Sequence, residues 1–321
     1  MINLNLNKKE KYILACSYGP DSMCLFDLLI KGKFNFCVAH VNYHLRQEES
    51  EEVEDLKRIC KDNKIKLYIK DFYMPLGVNE EGWAREVRYK YFVELANELK
   101  INNVLIAHNE DDLIETFLIQ KKRRGIVSYY GLNKEIQIEN VKFLRPLLNY
   151  KKEDLLKYCN NYNVHYGFDF SNFDTKYLRN NLRRNIVVKL TNTERHNLLN
   201  EIKILNEKNL LNIELLRNVF SQKYLETCKL IELSKENLQL CVINYLNYKN
   251  IYLEISKGFI NELYSLIRTK KSWHKITQNG IILSIDYGYF GVYKIKEDSL
   301  NKITINKNSS KFEILKNSRN P

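Results

Sequence analysis

Five short apolar runs alternate with helix-like stretches through the first 190 residues, and this alternation restricts the fold more than any other feature. The runs are Tyr12–Cys16, Phe34–Val41, Leu67–Phe72, Val104–Ala107 and Val141–Leu144. Helix-like stretches follow at Ser22–Leu29, Glu48–Asp62, Gly82–Leu99, Leu113–Gln120 and Lys152–Asn161. Repeated strand–helix units predict an α/β domain with a parallel sheet covered by helices on both faces. Ligands on such sheets bind beyond the C-terminal ends of the strands, so the polar residues just after each run are the site candidates.

From about Thr191 the pattern changes. Residues 194–270 are rich in Leu, Asn and Lys with helical periodicity, and no glycine occurs there before Gly258. From about Ser272 to Ile314 the chain reads as short strands with glycine turns, as in GIILSIDYGYFGVYKI. The expected organisation is a first domain over 1–190 and a smaller one over 191–321, helical and ending in a short β element.

The net charge of +12, from 51 basic and 39 acidic residues, favours a polyanionic partner, nucleic acid first. The charge is clustered. Lys121, Lys122, Arg123 and Arg124 form one group. Lys176, Arg179, Arg183, Arg184 and Lys189 form a second with no acid among them. Lys270 and Lys271, with Arg268 and Lys275, surround Trp273 and His274. Basic side chains beside aromatics suit RNA, which offers phosphates and unstacked bases together. No apolar run approaches the ~20 residues that span a bilayer. The first ten residues, MINLNLNKKE, are too polar for a signal peptide, so the expected location is the cytoplasm. The seven cysteines show no CxxC spacing and mostly sit in apolar patterns, which predicts buried reduced thiols.

Four stretches after predicted strands carry chemistry. In the first, Ser17-Tyr18-Gly19-Pro20-Asp21-Ser22 joins a strand to a helix. Its backbone N–H groups and the helix dipole favour an anion, and Pro20 suits the first helical turn. Asp21 fits such a site if a divalent cation bridges it to phosphate; otherwise Asp21 and Ser22 only cap the helix. The second stretch holds His40, Asn42, His44 and Arg46, with His40 on an apolar strand. In the third, His108 is followed by Asp111, Asp112 and Glu115. Asp112 and Glu115 are i,i+3 neighbours on one helix face. Such a pair beside a histidine orients and deprotonates an amine, holds a metal, or merely satisfies a helix dipole. In the fourth, Arg145-Pro146 ends a strand, and Arg179, Arg183 and Arg184 stand on a basic helix able to clamp phosphate.

Taken in order, these stretches resemble the tRNA(Ile)-lysidine synthetase family of PP-loop (N-type) ATP pyrophosphatases. Residues 17–22 resemble the S-G-G-x-D-S loop, and HVNYHLR resembles H-V-N-H-G-L-R. NEEGWAREVRYKYF at 79–92 is similar to x-E-x-x-A-R-x-x-R-Y-x-F, and AHNEDDLIET…RRG…GL is similar to A-H-H-x-D-D-Q-x-E-T…R-G…G-L. RPLL and SNFDTKYLRNNLRR complete the set. The resemblance covers roughly 12–190 and implies an adenine nucleotide alpha hydrolase-like fold. It implies that ATP adenylates the C2 carbonyl oxygen of the wobble cytidine in a CAU-anticodon isoleucine tRNA, releasing pyrophosphate. The ε-amine of free L-lysine then displaces AMP. By the same resemblance Ser17, Tyr18, Gly19, Pro20, Asp21 and Ser22 hold the phosphates, with Asp21 on Mg²⁺. His40, Asn42, Arg85 and Arg88 shape the ATP pocket, and His108 faces the α-phosphate or the cytidine. Asp112 and Glu115 bind the lysine ammonium, Arg179 stabilises developing phosphate charge, and analogy extends to a homodimer. The chain departs from the pattern at Tyr18, where glycine is usual, at Tyr43-His44, and at Asn109. The competing readings are another tRNA-modifying enzyme of this superfamily, such as a thiolase, and a non-catalytic RNA-binding relative.

Overall fold

The structure is a computed structural model. It describes residues 2–44, 48–78, 80–123, 127–167, 182–183, 185–249, 251, 255, 257–269, 272–276 and 281–294. Contacts divide the chain into two compact units, Met1–Lys208 and Asn209–Pro321.

In the first unit β1 (Lys11–Ala15), β2 (Asn35–Asn42), β3 (Leu67–Asp71), β4 (Asn103–Ile106), β5 (Glu135–Ile138) and β6 (Val141–Leu144) form one sheet of order β3-β2-β1-β4-β6-β5. All neighbours run parallel except β5, which pairs antiparallel with β6 at the edge. The helices are α1 (Pro20–Lys31), α2 (Glu48–Asp62), α3 (Glu80–Leu99), α4 (Glu110–Arg123) and α5 (Lys152–Asn161). Successive side chains of a strand face opposite sides, and the core divides accordingly. Tyr12, Leu14 and Cys16 pack with Met23, Leu25, Leu56 and Leu155, on the side of α1, α2 and α5. Ile13 packs with Ala39, Phe92, Val104 and Phe143, on the side of α3. Burial on both faces explains why these strands read as unbroken apolar runs.

The strand order reverses between β1 and β4. On such sheets the crevice for ligands opens where the order reverses. The loop after β1 and the start of α4 therefore meet at this point.

The long helix α6 (Asn192–Phe220) runs across the division between the units. The second unit contains β7 (Leu225–Glu226), α7 (Thr227–Ile231), α8 (Lys235–Tyr248), α9 (Lys257–Thr269), β8 (Trp273–Ile276), β9 (Ile281–Asp286) and β10 (Tyr289–Lys294). Its four strands form an antiparallel sheet of order β7-β10-β9-β8. β9 and β10 are joined by Tyr287-Gly288, both at positive φ (48° and 80°), as a two-residue hairpin turn requires. Of the seven cysteines only Cys228 is exposed.

Candidate active site

The loop after β1 turns sharply at Tyr18. Its φ is 63°, in the left-handed region that glycine adopts without cost. Gly19 itself is extended, with φ −72° and ψ 165°. The tyrosine thus makes the bend, and its ring turns away from the loop into the core beside α2, where it is 4% exposed. Burial, and then the nearby Asp55 carboxylate, push its hydroxyl up to about 12, so it stays protonated and donates to Asp55 Oδ2 at 3.3 Å. Its carbonyl accepts from the Gly167 N–H at 2.9 Å.

With the ring out of the way, the loop's polar groups converge. The Ser17 and Ser22 hydroxyls lie 3.4 Å apart, and Ser22 Oγ donates to the Gly19 carbonyl at 2.9 Å. Pro20 opens α1 at a position where no N–H is needed. Among the described residues a Cβ at Gly19 would meet only Ser17 Oγ at 3.5 Å, an ordinary contact, so none of them crowds that backbone. From β2, the His40 Nδ1–H donates to the Cys16 carbonyl at 2.9 Å and props the loop's entry. Asn42 donates to Asp71 Oδ1 at 3.1 Å, and His44 Nε2 reaches the same oxygen at 2.8 Å.

Asp21 is held unequally. Its Oδ2 accepts from Lys152 Nζ at 2.6 Å, while its buried Oδ1 has no hydrogen-bond partner among the described residues. Burial raises the pKa of this carboxyl, and the Asp112 carboxylate adds to the rise. Lys152 and Arg183 oppose it. The first-strand loop and the α4 acids therefore share one electrostatic environment.

The start of α4 buries Glu110, Asp111, Asp112 and Glu115. Asn109 and Asp112 cap it reciprocally: Asp112 Oδ2 accepts from the Asn109 N–H at 3.0 Å, and Asn109 Oδ1 from the Asp112 N–H at 3.1 Å. Asn109, a departure in the sequence pattern, is thus the helix cap. Arg183 sits on the other carboxylate oxygens, with Nε to Glu115 Oε1 at 2.5 Å and Nη2 to Asp112 Oδ1 at 3.0 Å. Burial works against its charge, but Glu115 and Asp112 outweigh that and raise its pKa. Arg195 similarly binds Glu110 and Asp111, at 3.1 and 2.8 Å. At the end of β6, Arg145 donates from Nε to His108 Nδ1 at 2.9 Å.

A protein-family model described as a PP-loop domain matches residues 2–190. A tRNA(Ile)-lysidine synthase of Mycoplasma mycoides is 34% identical over 305 residues, which cover 90% of this chain and 75% of that protein. The chain belongs to the tRNA(Ile)-lysidine synthase family of PP-loop proteins. A second relative of that name, from Malacoplasma penetrans, is 31% identical over 66% of this chain and 73% of its own length. A third, from Mesoplasma florum, is 40% identical over 58% of this chain, which spans about half (48%) of that relative. Among solved structures, a U34-tRNA thiolase from Methanococcus maripaludis superposes with a TM-score of 0.54 at 17% identity. The match covers 63% of this chain and 74% of that one, and it shows the shared fold.

Within this family frame the expected residues fall into three groups. Ser17, Gly19, Pro20, Asp21, Ser22, Asp112 and Glu115 gather at the β1/β4 edge, with His40 beneath the loop and His108 at the end of β4. Arg85 is exposed with its guanidinium over the Tyr89 ring at 4.8 Å, and Arg88 is half-buried. Lys121, Lys122 and Arg123 close the far end of α4, whose 14 residues put them about 20 Å from its acidic start. There Lys121 pairs with Glu201 at 2.7 Å. Arg183, expected on a basic RNA-facing surface, is drawn instead onto the Asp112–Glu115 pair. Arg46, Arg124, Lys176, Arg179, Arg184, Lys270 and Lys271 lie outside the described residues. Sequence reasoning missed Lys152, Arg195 and the bond from Arg145 to His108. Only RPLL signalled any of them, and it gave no partner.

The Tyr18 geometry yields a test. Tyr18→Gly removes the φ penalty of about 1–2 kcal/mol but also a buried ring whose loss costs on the order of 3–5 kcal/mol. Burial wins, so urea denaturation will show the variant destabilised by roughly 2 kcal/mol. A variant more stable than wild type contradicts this balance.

Proposed function

We propose that this chain ligates free L-lysine to C2 of the wobble cytidine in a CAU-anticodon isoleucine tRNA, at the expense of ATP. The observation that carries the reading is the meeting of two chemistries at one sheet edge. Asp21 of a phosphate-type loop, residues 17–22, lies within electrostatic reach of buried Asp112 and of Arg183, which bridges Asp112 to buried Glu115. The loop handles the nucleotide and the carboxylate pair an amine.

Ligation proceeds in two steps. ATP first transfers its adenylyl group to the C2 carbonyl oxygen, and pyrophosphate leaves. The ε-amine of lysine then attacks C2, and AMP departs with that oxygen. The loop N–H groups at the start of α1, with the Ser17 and Ser22 hydroxyls, bind phosphate oxygens. Lysine arrives protonated, with a reference pKa of about 10.4, so an acceptor must take a proton before attack. We assign that role to Asp112 and Glu115. Both carboxylates pair with the guanidinium of Arg183, and the proposal gives them the lysine ammonium as a further cation.

Mg²⁺ fits Asp21. Its buried Oδ1 has no hydrogen-bond partner among the described residues and is a hard oxygen ligand, and Mg²⁺ characteristically binds through one or two carboxylates plus phosphate oxygens. Among the described residues no three metal-ligating side chains form a cage. When bound, Mg²⁺ would neutralise phosphate charge beside Asp21 and Lys152. The basic clusters, Arg183 apart, are the source we assign to the RNA-facing charge, and no described helix is long and apolar enough to cross a membrane.

Two variants test the assignments. Asp112→Asn keeps the cap, because an amide oxygen still accepts from the Asn109 N–H. It will raise the KM for lysine at least about tenfold, ~1.4 kcal/mol, while tRNA-dependent ATP–pyrophosphate exchange stays within a few-fold. Normal lysine transfer would remove the ammonium assignment. Asp21→Asn will abolish the extra rise in Tm that Mg²⁺ adds to ATP binding. An undiminished Mg²⁺ increment would place the metal elsewhere.

A further inference from the structure

Arg145 is 4% exposed, one of the most deeply buried charges among the described residues. Its Nη1 donates to the Asn133 carbonyl at 2.6 Å, and its Nε donates to His108 Nδ1 at 2.9 Å. Both bonds hold the guanidinium plane in place. Burial draws its pKa down, Arg85 adds to that, and Tyr89 and Asp112 oppose it.

A guanidinium has only donors. The bond therefore fixes Nδ1 of His108 as an acceptor, and a neutral imidazole that accepts at Nδ1 carries its proton at Nε2. Protonation of Nδ1 would break the bond and leave two cations facing each other at the end of the sheet. Among the described residues, the charged or titratable groups that act on Arg145 include Arg85 and Tyr89 from α3 and Asp112 from α4. Arg85 is a second positive charge and works with Arg145. Asp112 works against it, but both its oxygens are already engaged, by Arg183 and by the Asn109 N–H.

On the reading that His108 meets the nucleotide or the activated cytidine, we infer that Arg145 is a positioning residue that locks His108 as a neutral Nε2–H donor. So held, the imidazole offers one fixed hydrogen bond to an oxygen that gains negative charge, and it has no lone pair with which to act as a base. The proton from lysine then falls to Asp112 or Glu115. This separates the roles of the α4 segment, with donation by His108 and proton acceptance by the carboxylates.

The test is a ¹⁵N–¹H correlation spectrum of the full chain labelled in histidine, with His108 assigned by comparison with His108→Gln. The expected spectrum has a pyrrole-type Nε2 and a pyridine-type Nδ1, unchanged down to about pH 5.5, roughly one unit below the ordinary histidine value of about 6.5. Arg145→Gln keeps a side-chain donor and removes the charge. In it His108 will titrate near 6.5, and the pH profile of lysine transfer will gain an inflection there. Arg145→Lys, which keeps the charge, will restore the flat profile. An Nδ1–H tautomer in the wild type overturns the inference, as does wild-type titration near 6.5. If Arg145→Gln does not fold, the wild-type spectrum alone decides. The spectrum needs neither tRNA nor lysine. Failure of ligation with the expected spectrum would therefore sink the functional reading and leave this one intact, and the reverse holds as well.

Discussion

Four carboxylates lie buried within the first six residues of α4, and each sits against an arginine that arrives 68 to 85 residues later in the chain. Uncompensated, such a cluster would not tolerate burial, since removing one partner of a buried ion pair typically costs about 3–5 kcal/mol. The division between the two arginines is informative. Arg195 takes Glu110 and Asp111 and also reaches the Val187 carbonyl at 3.1 Å, a contact that ties the α6 start to the sheet domain. Arg183 takes Asp112 and Glu115, and both Arg183 and Asp112 act on the Asp21 carboxyl. One pair of acids anchors the chain, and the other sets the charge of the site.

That site depends equally on the direction of one ring. Tyr18 supplies the left-handed bend that glycine normally provides, and burial of its ring against α2 offsets the cost. The loop keeps its hydroxyls, its extended Gly19 and the N-terminus of α1 directed at one place. His40 supports it from the neighbouring strand. A residue that departs from the usual pattern therefore preserves the shape through the core rather than through backbone freedom.

Much of this was legible in sequence because it is local. The five runs and their helices correspond to β1–β4, β6 and α1–α5, and Glu48–Asp62, Val141–Leu144 and Lys152–Asn161 coincide with their elements end to end. The expected helical stretches begin later than the helices at α1, α3 and α4. Pro20 and the acidic residues from Glu110 belong to first turns, where polar residues mask the apolar period. The edge strand β5 was missed because four half-exposed residues, EIQI, carry little pattern. The candidate site was legible as residues but not as pairings. Lys152 meets Asp21 across 131 residues, and Arg145 meets His108 across 37. Such contacts follow from strand order, which no local window contains. Arg183 shows the same limit: its neighbours in sequence are basic, yet its neighbours in space are carboxylates.

The central claim is that one edge of this sheet activates a base rather than an amino acid. A CAU-anticodon isoleucine tRNA whose wobble cytidine carries ¹⁸O at C2, incubated with the chain, ATP, Mg²⁺ and lysine, tests it most directly. Attack of lysine on an adenylated cytidine sends the label into AMP, and mass spectrometry will find one ¹⁸O in the AMP released per lysine transferred. Lysine transfer with unlabelled AMP would mean that another group was adenylated, and would contradict the account.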